Sequence, residues 1–177
     1  MQTPIPASAL RAPAALDDLL LYKLSRLLSV GGSMVIRLCE GRFGITRREW
    51  RVISRLAQRQ DLLSSELADS IQLDRARTSR AVSSLVAKKL VRRQTVAADR
   101  RQARLSLTER GRAVHDALFP LVCDINRSLL APLTPDDVNR LDRMLSRMQD
   151  EAARLVEVAE LPKADRRRGG RARLEMG

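Results

Sequence analysis

Between residues 46 and 107 the chain changes from helical to strand periodicity, and the order of its short segments leaves few folds open. Residues 46–49, Thr-Arg-Arg-Glu, form a capping box, which predicts that a second helix starts there after a long first one. Ser64 or Ser65 can cap a short third helix, and Asp74 can cap a fourth. Two short helices joined by a tight turn form a helix-turn-helix.

Alternating residues follow the fourth helix. Residues 91–96 and 104–107 have the period-two pattern of short strands, and the polar segment 97–102 joins them. Such a pair predicts a β-hairpin directly after the helix-turn-helix. The predicted fold class is therefore mainly α with a small β-hairpin wing, which is a winged helix-turn-helix.

Basic residues are concentrated in the same region. The chain has a formal net charge of +12, and twelve basic residues against two acidic ones lie between Arg75 and Arg112. Charge gathered in one short stretch is typical of a surface that binds a polyanion. Aromatic residues make up only 2% of the chain, so stacking on single-stranded bases is disfavoured and duplex DNA is the predicted partner.

Long apolar stripes at helical spacing flank the wing region on both sides. The first contains Gly31 and Gly32, which allow close helix packing, a kink or space for a ligand. Thr108 and Thr134 can cap two further helices, the first with Pro120 inside it. The predicted organisation is a flexible arm (1–13), an N-terminal dimerisation helix (14–45), a winged DNA-binding domain (46–107), C-terminal dimerisation helices (108–160) and a disordered basic tail (161–177).

The predicted fourth helix, residues 75–88, has two different faces on a helical wheel. The inward face is formed by Thr78, Val82, Leu85 and Val86. The outward face is formed by Ala76, Arg77, Arg80, Ser83 and Ser84. Small side chains let a helix enter the major groove, and arginine can address guanine through two parallel hydrogen bonds. Phosphate contacts are expected from Arg75, Ser79 and Lys88. The alternative for the outward face is an ordinary solvated helix surface.

Several fragments in this order and spacing resemble the MarR family of transcriptional regulators, over about residues 16–158. The matching fragments are Asp74-Arg75, Thr78-Ser79-Arg80, Leu85, Leu90-Val91-Arg92-Arg93, Asp99-Arg100-Arg101 and Leu107-Thr108-Glu109-Arg110-Gly111. The resemblance implies a triangular homodimer with interleaved first, fifth and sixth helices. It also implies a recognition helix in each major groove of a palindromic operator and a wing in each adjacent minor groove.

The resemblance extends to single residues. Arg101 matches the arginine at the wing tip of the family, Asp99 matches the carboxylate that orients it, and Thr78 and Arg100 join the expected DNA contacts. Two positions depart from the pattern. Lys89 stands where the family often has a glycine at the end of the recognition helix, and Leu63 occupies the usual hydroxyl cap of the third helix.

Members of this family commonly respond to small aromatic acids or phenols, and the chain also resembles repressors of aromatic-acid catabolism such as nicotinate degradation. The expected function is therefore a repressor released by a small aromatic carboxylate or phenol, possessing a pocket near the first helix. Candidate ligand residues are Tyr22, Ser29, Ser33, Arg37, Trp50 and His115. Arg37 is favoured, because a buried carboxylate needs a charged partner. The alternative for Tyr22, Trp50 and His115 is a role in helix packing.

Other classes of function have little support in the sequence. Cys39 and Cys123 lack metal or redox spacing and are interpreted as core residues, and no metal, cofactor or catalytic constellation is expected. A cytoplasmic protein without a membrane segment is expected. The alternative to a regulator is an architectural winged-helix protein that binds DNA or RNA through the backbone alone.

Overall fold

The computed structural model describes residues 8–71, 74–96 and 99–160. The expected tail at 161–177, the first part of the arm, the turn at 72–73 and the wing tip at 97–98 lie outside the described residues. The chain divides after Leu130 into two compact units, and each is described by itself.

The first unit has the mainly α fold with a small sheet that the sequence predicts. A 3₁₀ turn at Leu16–Asp18 precedes the first long helix, and a π-helical turn at Leu38–Arg42 follows it. The described helices are α1 (Leu20–Arg37), α2 (Arg47–Gln58), α3 (Ser64–Ser70), α4 (Arg75–Ala87) and α5 (Glu109–Leu130). The described strands are β1 (Leu62–Leu63), β2 (Val91–Val96) and β3 (Asp99–Leu107). They form an antiparallel sheet in the order β1-β3-β2.

Side-chain caps begin α2 and α4 where the sequence predicts them. The Thr46 hydroxyl accepts a hydrogen bond from the backbone N–H of Glu49 at 3.2 Å, and the Glu49 carboxylate accepts one from the N–H of Thr46 at 2.6 Å. The Asp74 carboxylate accepts from the N–H of Arg77 at 2.8 Å. Each cap satisfies amides that a helix start leaves without an intrahelical partner.

The start of α3 differs from the prediction, because neither Ser64 nor Ser65 caps it. Leu63 occupies the cap position and makes no side-chain hydrogen bond there. Instead, the carboxylate of Glu66 accepts from the backbone N–H of Leu63 at 2.8 Å. A carboxylate in the first turn also interacts favourably with the positive end of the helix dipole, so a hydroxyl is not required.

Two arginines of α2 hold the other end of α3. The Arg51 guanidinium donates to the carbonyl oxygen of Ile71 at 2.5 Å, and that of Arg55 donates to the carbonyl oxygen of Ser70 at 2.9 Å. Both carbonyls belong to the end of α3, where carbonyl oxygens have no N–H partner within the helix. These bonds fix α3 against α2 directly before the chain turns into α4.

The core of the first unit lies between α2, α4 and the sheet. Its buried apolar side chains include Trp50, Val52, Ile53 and Leu56 of α2, Val82 and Leu85 of α4, and Leu62, Val91, Leu105 and Leu107 of the strands. Burying one such aliphatic side chain stabilises the fold by about 1.5–3 kcal/mol. β1, which the sequence did not predict, pairs Leu62 with Leu105 and so closes this core at the edge of β3.

The end of α4 is a tight turn through Lys89, whose φ of 57° lies in the left-handed region. The N–H of Leu90 donates to the carbonyl oxygen of Leu85, and that of Lys89 donates to Val86, both at 2.9 Å. This is the hydrogen-bond pattern of a Schellman motif, in which glycine is the usual left-handed residue. A lysine there costs about 1 kcal/mol or more relative to a relaxed backbone. The neighbouring helices therefore hold this turn.

The start of α5 is fastened to that turn. The Thr108 N–H donates to the carbonyl oxygen of Leu90 at 3.1 Å, and the Thr108 hydroxyl donates to that of Lys89 at 2.8 Å. The same hydroxyl accepts from the N–H of Gly111 at 3.0 Å. Gly111 is buried, and a Cβ on it would overlap the carbonyl oxygen of Leu90. The absence of a side chain is what lets α5 approach the end of α4 so closely.

The glycine pair of α1 also serves close packing. A Cβ on Gly31 would lie 3.3 Å from the side chain of Leu129 on α5, and one on Gly32 would lie 3.4 Å from the guanidinium of Arg47. The long helix α5 continues through Pro120 from Glu109 to Leu130. Gly31 therefore admits α5, and Gly32 admits an arginine from the first turn of α2.

The described part of the second unit consists of α6, which runs from Pro135 to Val158. The Thr134 hydroxyl accepts from the N–H of Asp137 at 3.2 Å, so the predicted start is confirmed. Several large apolar side chains of α6 are exposed, namely Met144, Leu145, Met148, Leu155, Val156 and Val158. Throughout the described residues, no helix is long and apolar enough to cross a membrane.

Candidate nucleic-acid interface

The outer face of α4 is accessible and combines arginines with small side chains. Its exposed residues include Arg75, Ala76, Arg77, Ser79, Arg80 and Ser83. The Nε of Arg77 lies 3.0 Å from the carboxylate of Asp74, the residue that caps the helix. That pairing orients Arg77 in the first turn, while its side chain remains 55% exposed. This face has the composition that a helix needs to enter a groove and to present guanidinium groups to base edges.

Two residues of the predicted DNA-contact set face the protein instead. Thr78 is 2% exposed, and its hydroxyl donates to the carbonyl oxygen of Asp74 at 3.1 Å, so it is part of the core side of α4. Ser84 is half-buried and hydrogen-bonds to the carboxylate of Glu49. The helical wheel had already placed Thr78 on the inward face, whereas Ser84 was assigned to the outward face because α4 packs on α2 across a wider arc than a two-face wheel suggests.

Lys88, predicted to bind a phosphate, is engaged within the fold. Its ammonium group donates to both carboxylate oxygens of Glu49, at 2.9 and 3.0 Å, and to the carbonyl oxygen of Gly44 at 2.8 Å. An ammonium has only three N–H donors, so none remains for a phosphate while these bonds hold. We therefore remove Lys88 from the candidate DNA contacts.

Glu49 is the buried partner in this ion pair and is 2% exposed. Burial alone would raise the pKa of its carboxyl group. Hydrogen bonds from the Ser84 hydroxyl, the Lys88 ammonium and the Thr46 backbone, together with the charge of Lys88, outweigh burial and hold the pKa below its ordinary value. The carboxylate is therefore charged at neutral pH. The sequence analysis identified Glu49 only as part of a helix cap and missed its ion pair with Lys88.

A cleft beside the outer face of α4 gathers further polar groups. Its volume is about 280 Å³, and its polar lining residues are Ser64, Ser65, Arg75, Thr78, Ser79 and Arg93. Arg75 and Ser79 were predicted as phosphate contacts, whereas Arg93 of β2 was not. The sequence signal for Arg93 was weak, because it is one of many arginines and its place beside α3 and α4 depends on how the sheet folds back.

The wing consists of β2 and β3, paired antiparallel from Val91 opposite Leu107. A register irregularity lies between Thr95 and Val96, next to the tip. Asp99, Arg100 and Arg101 belong to the backbone of β3, but their side chains lie outside the described part of the structure. Their predicted roles at the wing tip therefore stay predictions.

Two of the six candidate ligand residues are brought together. His115 stacks on Trp50 with ring centroids 5.7 Å apart, and on Phe119 at 5.2 Å. The Nδ1 of His115 also lies 2.8 Å from a carboxylate oxygen of Asp116. Trp50 is buried in the core, so these rings behave as helix packing between α2 and α5, which was the alternative interpretation.

The other four candidates lie along α1. Tyr22 is half-buried, and Ser29, Ser33 and Arg37 are exposed. The Ser33 hydroxyl donates to the carbonyl oxygen of Val30 in its own helix at 2.6 Å. The cavity beside α1 has a volume of about 410 Å³ and is lined by Leu24, Leu27, Leu28, Gly31, Gly32, Val35, Arg47, Val122, Ile125, Asn126 and Leu129. None of the six candidates lines it.

Arg47 is the cationic residue of this cavity, and the sequence analysis missed it as a ligand candidate. It also lines a second cavity of about 440 Å³, together with Thr46, Arg48 and Arg51. Arg47 is the first residue of α2 and lies within the capping box of residues 46–49. The sequence analysis therefore identified it only as part of a helix start. Its position over Gly32 depends on the crossing of α1 and α2.

Of the two cysteines predicted to be core residues, Cys39 belongs to the core and Cys123 does not. Cys39 is fully buried, and desolvation with the nearby charge of Glu40 raises the pKa of its thiol despite the opposing effect of Arg47. A thiol with a raised pKa carries less of the reactive thiolate. The environment of Cys39 therefore does not favour a redox sensor. Cys123 is half-buried on α5.

Comparison with known proteins places the winged segment in a family. Residues 43–102 match the model of the MarR family, and this range contains α2, α3, α4 and most of the wing. These residues form a winged helix-turn-helix segment of the MarR family of transcriptional regulators. The resemblance drawn from the recognition-helix and wing motifs is thereby confirmed for this segment.

Similarity to solved structures extends beyond the winged segment. A probable transcriptional regulator from Pseudomonas aeruginosa is 26% identical, with 76% of this chain and 99% of that chain covered and a TM-score of 0.65. A MarR-family regulator from Silicibacter pomeroyi is 24% identical, with 85% and 97% covered and a TM-score of 0.67. The PcaV regulator from Streptomyces coelicolor is 22% identical, with 78% and 97% covered and a TM-score of 0.67.

Proposed function

We propose that this regulator is a homodimeric repressor that reads a palindromic operator with α4 and is released by a small aromatic carboxylate or phenol. The observation that carries the proposal is the outer face of α4, where Arg77 and Arg80 are exposed among alanine and serine side chains. A basic helix on a helix-turn-helix scaffold fits the major groove, which is about 12 Å wide.

The proposed roles of the residues on this surface follow from their positions and from the chemistry of their side chains. Arg77 and Arg80 are proposed to read bases, because guanidinium groups pair in bidentate fashion with guanine. Arg75, Ser79 and Arg93, which line one cleft, are proposed to bind phosphates. The wing, with Asp99, Arg100 and Arg101, is proposed to enter the adjacent minor groove. One structural neighbour, MepR from Staphylococcus aureus, is solved as a DNA complex, which supports this use of the fold.

Substitutions in the reading helix and in the wing should have different effects on DNA binding. Binding-site selection from random duplexes should return a palindromic consensus for the parent. Arg77→Ala or Arg80→Ala should relax the preference at particular bases at a cost of about 1–3 kcal/mol. Arg101→Ala should weaken binding to most sequences and blunt a preference for a narrow A·T minor groove.

Arg154→Ala on α6 is the matched control, because it also removes one arginine and should leave selection unchanged. Selection without any consensus would support the architectural alternative instead. Equal losses across all sequences from the three interface substitutions would contradict base reading by α4.

A dimer is proposed because large apolar side chains remain uncovered on single helices. On α1 these include Leu21, Leu27, Leu28 and Val30, on α5 Phe119 and Leu129, and α6 has its own set. Large exposed apolar side chains mark an interaction surface, and a two-fold partner would cover those of each helix. Two recognition helices would then meet half-sites about 10–10.5 base pairs apart.

We expect a particle mass of twice the 19.8 kDa of one chain, measured by light scattering at micromolar concentration. Replacing Leu27 and Leu28 by serine should shift the equilibrium toward the monomer and weaken operator binding together. A monomeric parent with full operator affinity would contradict the dimer.

The proposed effector is inferred from the chemistry of the cavity beside α1 and from two structural neighbours. PcaV is solved with its natural ligand, and the neighbour BpsR from Bordetella bronchiseptica, 21% identical with a TM-score of 0.62, is regulated in its DNA binding by 6-hydroxynicotinic acid. The cavity beside α1 joins apolar walls to the half-buried guanidinium of Arg47. Apolar walls suit an aromatic ring, and one cation suits a carboxylate. We therefore propose Arg47, rather than Arg37, as the anchor of the effector.

A further inference from the structure

A cluster of side-chain bonds joins the last turn of α4 to the first turn of α2. Its centre is the buried carboxylate of Glu49, which accepts from Lys88, from Ser84 and from the backbone of Thr46. Lys88 extends the cluster to the carbonyl oxygen of Gly44 in the segment before α2. We call the Glu49–Lys88 pair with Ser84 and Gly44 the α2–α4 clasp.

The clasp acts at the border between the buried face of α4 and the outer face that presents the arginines. Arg80 and Ser84 are four residues apart and are therefore neighbours on the helix surface, and Ser84 and Lys88 repeat that spacing. Arg77 lies seven residues before Ser84, close to the same line. Bonds to Ser84 and Lys88 thus hold the edge of the reading face one turn away from Arg80.

This end of α4 is also held by the burial of Val82 and Leu85 in the core and by bonds to the start of α5, through Thr108 to Lys89 and Leu90. These bonds fix where the end of α4 lies. Apolar packing is non-directional, so a directional polar contact to the side of the helix is needed to fix its rotation. The buried clasp supplies that contact.

We propose that Glu49 and Lys88 are positioning residues that set the rotation of α4 and thereby the operator specificity of this regulator. The inference rests on the proposed function of α4 as the reading helix. Neither residue touches DNA in this mechanism. Loss of either one lets the reading face turn, so contacts to bases are lost while contacts to phosphates persist.

The experiment measures the affinity of full-length Glu49→Gln, Lys88→Met and the double variant for the selected operator and for an unrelated duplex at several salt concentrations. Circular dichroism and mass measurements restrict the comparison to folded dimers. The matched control is Asp61→Asn with Arg104→Met, which removes an exposed ion pair of similar length, 3.2 Å, elsewhere on the winged segment.

Each single variant should lose at least about fivefold in the ratio of operator to unrelated affinity, the lower end of usual coupling effects. The double variant should lose no more than the worse single one, because both changes remove the same clasp. The double variant also keeps the test valid if Lys88→Met alone unfolds because it leaves the buried carboxylate of Glu49 unpaired. Slopes of log affinity against log salt should match those of the parent, since no phosphate contact is lost.

A merely structural role would lower both affinities equally by depleting the folded protein, and it would overturn the inference. So would a Lys88→Met slope smaller by about one, which would mark a phosphate contact. Failure of the proposed function is distinguishable, because then Arg77→Ala and Arg80→Ala would also leave the affinity ratio unchanged.

Discussion

Gly111→Ala is expected to lower the free energy of unfolding by about 3 kcal/mol, at the upper end of the cost of an overfilled contact. A Cβ at this position would overlap the carbonyl oxygen of Leu90 and lie 3.0 Å from its carbonyl carbon. That carbonyl is backbone and accepts the N–H of Thr108, so it has no free direction in which to move. The start of α5 and the left-handed turn at Lys89 would have to separate.

Gly41→Ala is the matched control, because a Cβ there would meet nothing within 4 Å. Its effect should stay within about 0.5 kcal/mol. Urea unfolding at one fixed protein concentration measures both variants, since a dimer is more stable at higher concentration. A Gly111→Ala protein that unfolds at the parent midpoint would show that the junction between α4 and α5 adapts, and that the close approach is not needed.

Helix starts were predictable because their signals are local. Thr46, Asp74 and Thr134 each bond to an N–H three residues ahead, so the motif contains the whole interaction. The hairpin was predictable for a similar reason, since β2 and β3 are adjacent in sequence and alternate with period two. β1 was missed because two residues carry no periodicity, and its partner Leu105 is far along the chain.

The site predictions failed where a side chain depends on a distant residue. Glu49 was read as a cap and Lys88 as a phosphate ligand, yet they bind each other across 39 positions of sequence. A helical wheel distinguishes a buried face from an exposed one, but it does not reveal which helix lies along the border. Ser84 lies on that border, and so it was assigned to the wrong side.

The cation of the proposed effector cavity shows the same limit. Arg37 was favoured because it is a charged residue near the glycine pair of α1. Space beside a glycine, however, is open to any residue that the next helix brings there. Here the start of α2 places Arg47 3.4 Å from the position that a Cβ on Gly32 would occupy. Which arginine fills the space depends on how α1 and α2 cross, and no local sequence pattern indicates that crossing.

Arg47→Met is expected to remove most of the response to an aromatic carboxylate while leaving operator affinity without ligand nearly unchanged. A hydrogen bond to a buried charged group contributes about 1.5–3 kcal/mol, so ligand affinity should fall roughly ten- to hundredfold. The parent should release its operator about 5- to 150-fold on saturation, because an effector acts only through its different affinity for the two dimer states. Methionine keeps an unbranched side chain over Gly32 and removes only the charge and its donors.

The test titrates parent and variants on the selected operator with benzoates, hydroxybenzoates and hydroxypyridine carboxylates. Arg37→Met is the matched control, since it removes an exposed arginine of α1 that does not line the cavity. It should release the operator at the parent's ligand concentration. The neutral amide of the best acid should act on the parent as weakly as the acid acts on Arg47→Met, because both changes remove one partner of the same ion pair. If instead Arg37→Met loses the response and Arg47→Met keeps it, the effector binds at Arg37 as the sequence suggested, and the cavity at Arg47 is not its site.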